Sequence, residues 1–395
     1  MDNANSISAG ALDFASKAAL FMLACSTIVT PICLVEIGKE LQIGLASRGG
    51  LETARTVPLI LTILTSGIVT GKLSMKLLIT SGLWLMTLGL LLMGISKTYP
   101  VAIISMAVLG AGCGFIEALV NPLVTNLHPD NPGLHLNNAH AFFSIGLCVC
   151  VLLFGELLSR GVSWRLLYVI SCVGTLSTGI VFQLNRFPAF STPSSKSRSL
   201  LSIVTLPAFW IFCLVMLFAT GAEGGLTFWT ASFIKSYHSE LPRLWAFGTA
   251  IFGGAMAIGR MSVGRFSSRI PLKTILLFSA ITGIVVTLLL AYTTSLTLAL
   301  CLLAVAGFCT SGFWPSILAI ASKRIHGETT ALFTLLIASG IGGFAAFPWL
   351  IGVIGDRSGL RGGFFIVPIL FFVTAVLLAW MKSDKSILPP SRGRL

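Results

Sequence analysis

Two carboxylates in this sequence stand where carboxylates are expensive. Glu117 lies in GFIEALVNP (114–122), inside an apolar run from Val101 to Leu127 that holds no other acid or base. Glu223 lies in TGAEGGLTFWTASF (220–233), inside a second such run. An ionised side chain at the centre of a hydrocarbon layer costs about 2.5–3.5 kcal/mol on insertion scales, and such residues mark proton relays, solute pathways or paired networks. Glu117 precedes Leu127 by about ten residues, which at 1.5 Å per residue is ~15 Å, half of a ~30 Å bilayer. A carboxyl facing a cavity at that depth can titrate protons or bind solute. The alternative is a structural acid bonded to a neighbouring helix.

Other polar side chains gather near these two. Asn121 is one turn beyond Glu117 on the same face and offers both a donor and an acceptor, suited to a sugar hydroxyl or to bridging two helices. Around Glu223, Gly221, Gly224, Gly225 and, further off, Gly248 allow close backbone approach or local unwinding. Phe228 and Trp229 follow within two turns, as rings that stack on a sugar or pack in a bundle. His140, in LNNAHAFFSIG (136–146) with Ser144 one turn on, can ligate solute, shuttle a proton, or bond the preceding loop. His128 and His135 read as solvated loop residues, and without HExxH or paired cysteines no metal site is expected. Arg55 and Glu52 read as a surface pair, while Arg260 and Arg265 in GRMSVGRF (259–266), with Arg269, read as an inner gate or lipid-headgroup contacts. Glu36 and Glu156 fall near helix ends and take no role. No nucleophile–base constellation, phosphate-cradling loop or nucleotide motif is present. The chain therefore reads as neither enzyme nor ATPase, with no cofactor, and any uphill work must draw on an ion gradient.

What positions these residues is a set of membrane helices. Of 395 residues, 55% are hydrophobic and 10% charged, with a mean hydropathy of +0.95, whereas a soluble domain has about 25% charged residues. So few charges cannot clothe a water-facing surface. Twelve transmembrane helices are predicted, over 14–36, 51–71, 77–96, 101–127, 136–158, 165–184, 206–234, 244–266, 272–292, 296–322, 328–354 and 363–381. Runs this long exclude a β-barrel, whose strands are ~10 residues of alternating polarity. The formal charge of +13 is scattered through short loops, which indicates topology and contact with anionic membrane lipids, not nucleic acid. The nine cysteines, among them Cys25, Cys148, Cys150 and Cys301, fall mostly inside apolar runs and show no disulfide or zinc spacing. The opening MDNANSISAGALDFASK lacks a basic region and a small-residue cleavage site, so the first helix is expected to be retained.

The segment NRFPAFSTPSSKSRSLLSIVT (185–205) divides an N-terminal six-helix bundle, 1–184, from a C-terminal one, 206–395. The halves share motifs. GCGFIEALVNP (112–122) matches GFCTSGFWP (307–315), aligning Gly114 with Gly307 and Pro122 with Pro315. GELLSRGVSWR (155–165) matches GVIGDRSGLRG (352–362), aligning Gly155 with Gly352 and Arg160 with Arg357. Corresponding motifs in two halves mark a duplicated, pseudo-symmetric unit. With both termini cytoplasmic, the inner loops and tail hold fourteen basic residues against nine outside, the sign expected for a multi-pass protein of a cell inner membrane.

These features together resemble the major facilitator superfamily, over essentially the whole chain. More narrowly, EALVNP (117–122) and LNNAHAFFSIG (136–146) resemble the fourth and fifth helices of the fucose-permease-like sugar:proton symporters. That resemblance implies that Glu117 is the proton-linked, solute-contacting acid and that Asn121, His140 and Ser144 line the cavity. Members carry an acid in the first helix where Thr27 stands here, before Pro31, so Glu223 would supply a second carboxylate. The family's loop pattern Gly-x-x-x-Asp-Arg-x-Gly-Arg-Arg survives only as GIVTGKLSMK (67–76), with Gly71 in place of its Asp. The expected activity is proton-coupled symport of a sugar or similar small polar solute by a monomer. Glu117, Asn121, His140, Ser144, Thr27, Phe228 and Trp229 would be at the solute, and Lys72, Arg260 and Arg265 at the inner gate. The alternative is a proton-coupled exporter of drugs or metabolites, against which stands the absence of a Gly-Pro-x-x-Gly-Gly element in the fifth helix.

Overall fold

Backbone groups in hydrocarbon have no water to bond, and an α-helix satisfies them all within one segment. The computed structural model describes residues 2–69, 72–128, 132–187, 201–238, 241–267, 269–325 and 329–381. They form α1 (Asp2–Glu40), α2 (Leu45–Val69), α3 (Met75–Ile95), α4 (Tyr99–Leu127), α5 (Pro132–Ser159) and α6 (Trp164–Leu184), then the single turn α7 (Leu201–Val204). After it come α8 (Pro207–Tyr237), α9 (Pro242–Phe266), α10 (Leu272–Tyr292), α11 (Leu296–Thr310), α12 (Phe313–Arg324), α13 (Thr329–Phe364) and α14 (Ile366–Trp380). With α11 and α12 as one interrupted span and α7 set aside, these are twelve helices in the expected order. Ten spans are long and apolar enough to cross a membrane by composition. Helix α14 is apolar but has 15 residues, and α2 carries Arg48, Glu52 and Arg55 in its first half. Gly71 and residues 188–200 of the expected linker lie outside the described residues.

The ends follow local rules. Ser74, Ser163 and Ser295 cap α3, α6 and α11 by accepting a hydrogen bond from an early backbone N–H. Proline occupies one of the first two positions of α4, α8 and α9, where no intrahelical donor is lost. Two departures from expectation have equally local causes. The tenth span breaks at Ser311–Gly312, because the Pro315 ring would collide with the Ser311 carbonyl in an unbroken helix. Helix α13 runs on to Phe364 but bends at Gly359, whose φ of 76° is the left-handed region. The glycine-rich stretch around Glu223 does not unwind. It stays inside α8 and lets Phe347 and Phe344 of α13 pack onto Gly221 and Gly224.

Helices α1–α6 pack on one another, as do α8–α14, and the two groups meet through α2 with α13, α5 with α9, and α1 with α8. The glycines matched in sequence occupy matched contacts. Gly114 of α4 abuts Leu59 and Thr62 of α2, and Gly307 of α11 abuts Phe252 of α9. Gly155 of α5 abuts Ala246 of α9, and Gly352 of α13 abuts Leu45 and Ala46 of α2.

The second pair of contacts lies on the side away from the chain ends, the far side, where the two groups are sealed together. Gly49 of α2 faces the backbone of Pro348 and Trp349, and Thr53 Oγ1 donates to the Ala345 carbonyl of α13. The Asp356 carboxylate of α13 accepts from the N–H groups of Leu45 (2.6 Å) and Ala46 (2.9 Å). These open α2, and the positive end of a helix dipole favours an anion there. Lys235 of α8 reaches Glu36 of α1 at 3.1 Å, with Lys39 on the same carboxylate oxygen at 3.5 Å. Glu36, given no role from sequence, is thus part of a link between the groups.

A side chain at Gly352 must push α2 and α13 apart. Gly352→Trp is expected to hold the far side apart while the protein still folds. Spin labels at positions 44 and 357 in a cysteine-free background would report this as a longer, narrower distance distribution than in the parent.

Candidate functional site

Gly110, Gly114, Glu117 and Asn121 lie on one stripe of α4, at spacings of four, three and four residues. At Gly110 and Gly114 the stripe is bare, and α2 lies directly on it, with the Arg55 carbonyl over Gly110. Below that crossing the stripe turns polar. Among the described residues no hydrogen-bond or ion-pair partner meets the Glu117 carboxylate, which is half-buried. The Asn121 Oδ1 is buried and likewise has no partner. Two neighbouring side chains in a helix interior thus hold unspent hydrogen-bonding capacity, and buried polar groups without partners cost free energy. A solute or water entering between the helix groups would find both.

The Glu52–Arg55 pair is not on the surface. Arg55 Nη2 lies 2.5 Å from Glu52 Oε1 and Nε 3.2 Å from Oε2, with the side chains 5% and 4% exposed. The spacing of three residues was legible as a pair, but its burial depended on α4 crossing at Gly110. Cys113, one turn before Glu117, sits against the same guanidinium and bonds Ser26 of α1 at 3.5 Å. Thr30 of α1 bonds Tyr168 of α6 at 2.8 Å. A buried polar thread therefore ties α1, α2, α4 and α6 behind Glu117.

The second helix group presents a different pair. Arg260 of α9 reaches Glu223 of α8, with Nη2 3.6 Å from Oε1. Its guanidinium thus lies beside the buried acid rather than at the end of its helix. The Arg260 side chain is 44% exposed and that of Glu223 9%. His140 of α5 is exposed and close enough to Arg260 to feel its charge. Chain topology therefore sets Arg260 beside Glu223, with His140 of the other group within reach of the arginine's charge.

Other expected residues are placed as follows. Phe228 and Trp229 are buried and stacked edge to face at 5.4 Å. The Trp229 indole N–H donates to the Pro348 carbonyl at 2.9 Å, so this ring fastens α8 to α13 and has no free face in this conformation. The Thr27 hydroxyl is turned onto the Leu23 carbonyl of its own helix at 2.9 Å. Ser144 lies on α5, its side chain outside the described residues. Lys72 is exposed in the turn after α2, and Arg265 is exposed in the last turn of α9. His128 and His135 are not loose in a loop. Their rings stack at 3.5 Å with 8° between planes, and His128 Nε2 meets Asp13 Oδ1 at 2.9 Å. Ligand-type atoms of Asp13, His128 and His135 fall within 4.8 Å of one another. Parallel rings, however, aim their in-plane lone pairs side by side rather than at one centre, and Lys17 Nζ already holds Asp13 at 2.6 Å.

Residues 17–346 and 249–394 match the family described as Major Facilitator Superfamily. The Protein TsgA homolog of Buchnera aphidicola subsp. Baizongia pistaciae (strain Bp) is 23% identical over 370 residues, 91% of this chain and 93% of that protein. The L-fucose-proton symporter of Escherichia coli (strain K12) is 29% identical over 150 residues, 37% of this chain and 34% of that one. The solved structure of a point mutant of the nucleoside transporter NupG superposes with a TM-score of 0.81 at 14% identity, covering 94% of this chain and 100% of that chain, a likeness of fold.

Removing one member of the buried Glu52–Arg55 pair leaves the other uncompensated. Arg55→Met is expected to destabilise the fold by about 3–5 kcal/mol, and the double change with Glu52→Gln to recover most of that loss. Thermal unfolding in detergent would rank the three proteins.

Proposed function

We propose, from the premise that this chain belongs to the major facilitator superfamily, that it takes up a sugar or similar small polar solute together with a proton. The observation that carries this reading is the Glu117 carboxylate, set in a helix interior and, among the described residues, without a partner, as is the Asn121 Oδ1 one turn away. A carboxylate already bonded to protein has little reason to exchange a proton with a passing solute. One that is bare must be satisfied by a proton, by water or by the solute. When solute hydroxyls bind Asn121 and the protonated Glu117 together, each ligand favours the other, which is the thermodynamic content of coupling. The names of one relative and of one neighbour in fold agree with this reading. One is an L-fucose-proton symporter, and a solved structure that superposes with a TM-score of 0.76 is a D-xylose-proton symporter.

In this reading the units 1–184 and 206–395 rock about the site, joined by the linker 185–205. His140 and Ser144 join Asn121 at the solute, and Thr27, Phe228 and Trp229 form supporting wall. Glu223 is a second titrating acid, and Lys72 and Arg265 act at the inner mouth with Arg260 deeper in. Both termini face the cytoplasm across an inner membrane, and a monomer suffices. The sealed far side then corresponds to a conformation open to the cytoplasm.

Uptake of labelled sugars into proteoliposomes under an imposed inward proton gradient tests this directly. Wild type is expected to accumulate solute, and Glu117→Gln to lose accumulation while retaining solute exchange. Accumulation by Glu117→Gln that still tracks the gradient would remove Glu117 from the coupling step.

A further inference from the structure

Among the described residues, two acid–arginine pairs lie inside helices away from their ends, and they are built differently. Glu52 and Arg55 are locked by two hydrogen bonds and hidden from solvent, as a purely structural pair should be. Glu223 and Arg260 are not. Their closest approach of 3.6 Å is beyond hydrogen-bond length, and the arginine side chain is 44% exposed. The other contact of this guanidinium is the Met256 sulfur at 3.8 Å. Among the described residues no oxygen acceptor fills its fork of five N–H donors. An arginine held beside an acid but not bonded to it, with half its surface open, is poised to exchange partners.

We propose that Arg260 docks a carboxylate of the transported solute, making that solute a small polyhydroxy acid of the sugar-acid class, with Glu223 as the competitor it displaces. The inference rests on the uptake reading above and specifies its substrate class. A planar carboxylate fits the guanidinium fork with two parallel N–H···O bonds, which a neutral hydroxyl cannot match. While Glu223 is ionised it opposes the incoming anion and neutralises Arg260. Once Glu223 carries a proton, Arg260 is released to the solute. Proton and anion then promote each other's binding across the same pair of side chains.

The charges that face this pair are few. Arg260 itself acts on Glu223 from α9, and His140 faces Arg260 from α5. Helix α13 offers the apolar rings of Phe344 and Phe347 against α8. Three acids of α1 are held elsewhere, Glu36 by Lys235, Glu40 by Arg165 and Asp13 by Lys17. The basic residues of α12, Lys323 and Arg324, stand in its last turn.

Calorimetric binding to the purified full-length protein in nanodiscs, with gluconate and glucuronate as acid probes and glucose and fucose as neutral ones, tests the proposal. At least one acid is expected to bind more tightly than its neutral counterpart. Its affinity should weaken by about tenfold for each pH unit above the point where Glu223 loses its proton. Arg260→Gln is expected to lose roughly 30-fold in acid affinity and little for the neutral probes, with Arg260→Lys in between as the variant that keeps the charge and the fold. Glu223→Gln should bind the acid tightly at every pH. Neutral probes binding as well as the acids, acid affinity unchanged in Arg260→Gln, or no binding of either acid would each overturn the carboxylate dock. The first two of these outcomes leave proton-coupled uptake standing. Acid binding that depends on Arg260, combined with no gradient-driven uptake of that acid, would uphold the dock and overturn the symport reading instead.

Discussion

A carboxylate inside a membrane must be paired, protonated or wet, and the organisation of this protein follows from how its helices meet that demand. Three of the acids within the helices, Glu52, Glu223 and Glu117, meet it in different ways. Glu52 is closed into a bidentate pair with Arg55. Glu223 stands beside Arg260 without being bonded to it. Glu117 has no protein partner at all among the described residues. This gradation, from locked to loose to bare, separates a group that holds the fold from groups able to exchange a proton or a ligand.

Holding those three environments requires close helix crossings, which small residues allow where lipid offers no hydrophobic drive for helices to associate. Gly110 and Gly114 bring α2 onto α4 and bury the Glu52–Arg55 pair in the process. Gly221 and Gly224 bring α13 onto α8, and Trp229 fastens the same two helices by bonding the Pro348 carbonyl. Each helix group is therefore rigid behind its acid. Motion is left to the surfaces where the groups meet.

Those meeting surfaces are built from exchangeable contacts. On the far side the seal consists of glycine approaches at Gly49, Gly155 and Gly352, a carboxylate capping the start of α2, and the Lys235–Glu36 ion pair. Each of these can be surrendered to water at modest cost, because charges and backbone N–H groups near a membrane surface rehydrate readily. A seam of interlocked large side chains would resist opening. This one is tight when closed and would leave little unsatisfied if it opened.

The sequence by itself determined the class of the molecule. Its scarcity of charge excludes a soluble fold, its apolar runs give twelve helices, and the motif pairs Gly114 with Gly307 and Gly155 with Gly352 give two related halves. Those are properties of composition and of spacing along one chain, governed by the hydrocarbon and by the period of a helix. It also exposed Glu117 and Asn121 as an expensive pair on one helical face. What tertiary structure decided is which charges are paired and with whom. Arg55 passed for a surface residue until Gly110 brought α4 over it. Arg260 passed for a residue at a helix end until its long side chain reached Glu223 on another helix. His128 and His135 met Asp13 only because α1 lies beside the end of α4 and the start of α5. Pairing between helices depends on crossings that no local pattern encodes, and for a charge in a membrane the partner decides whether it is scaffold or machinery.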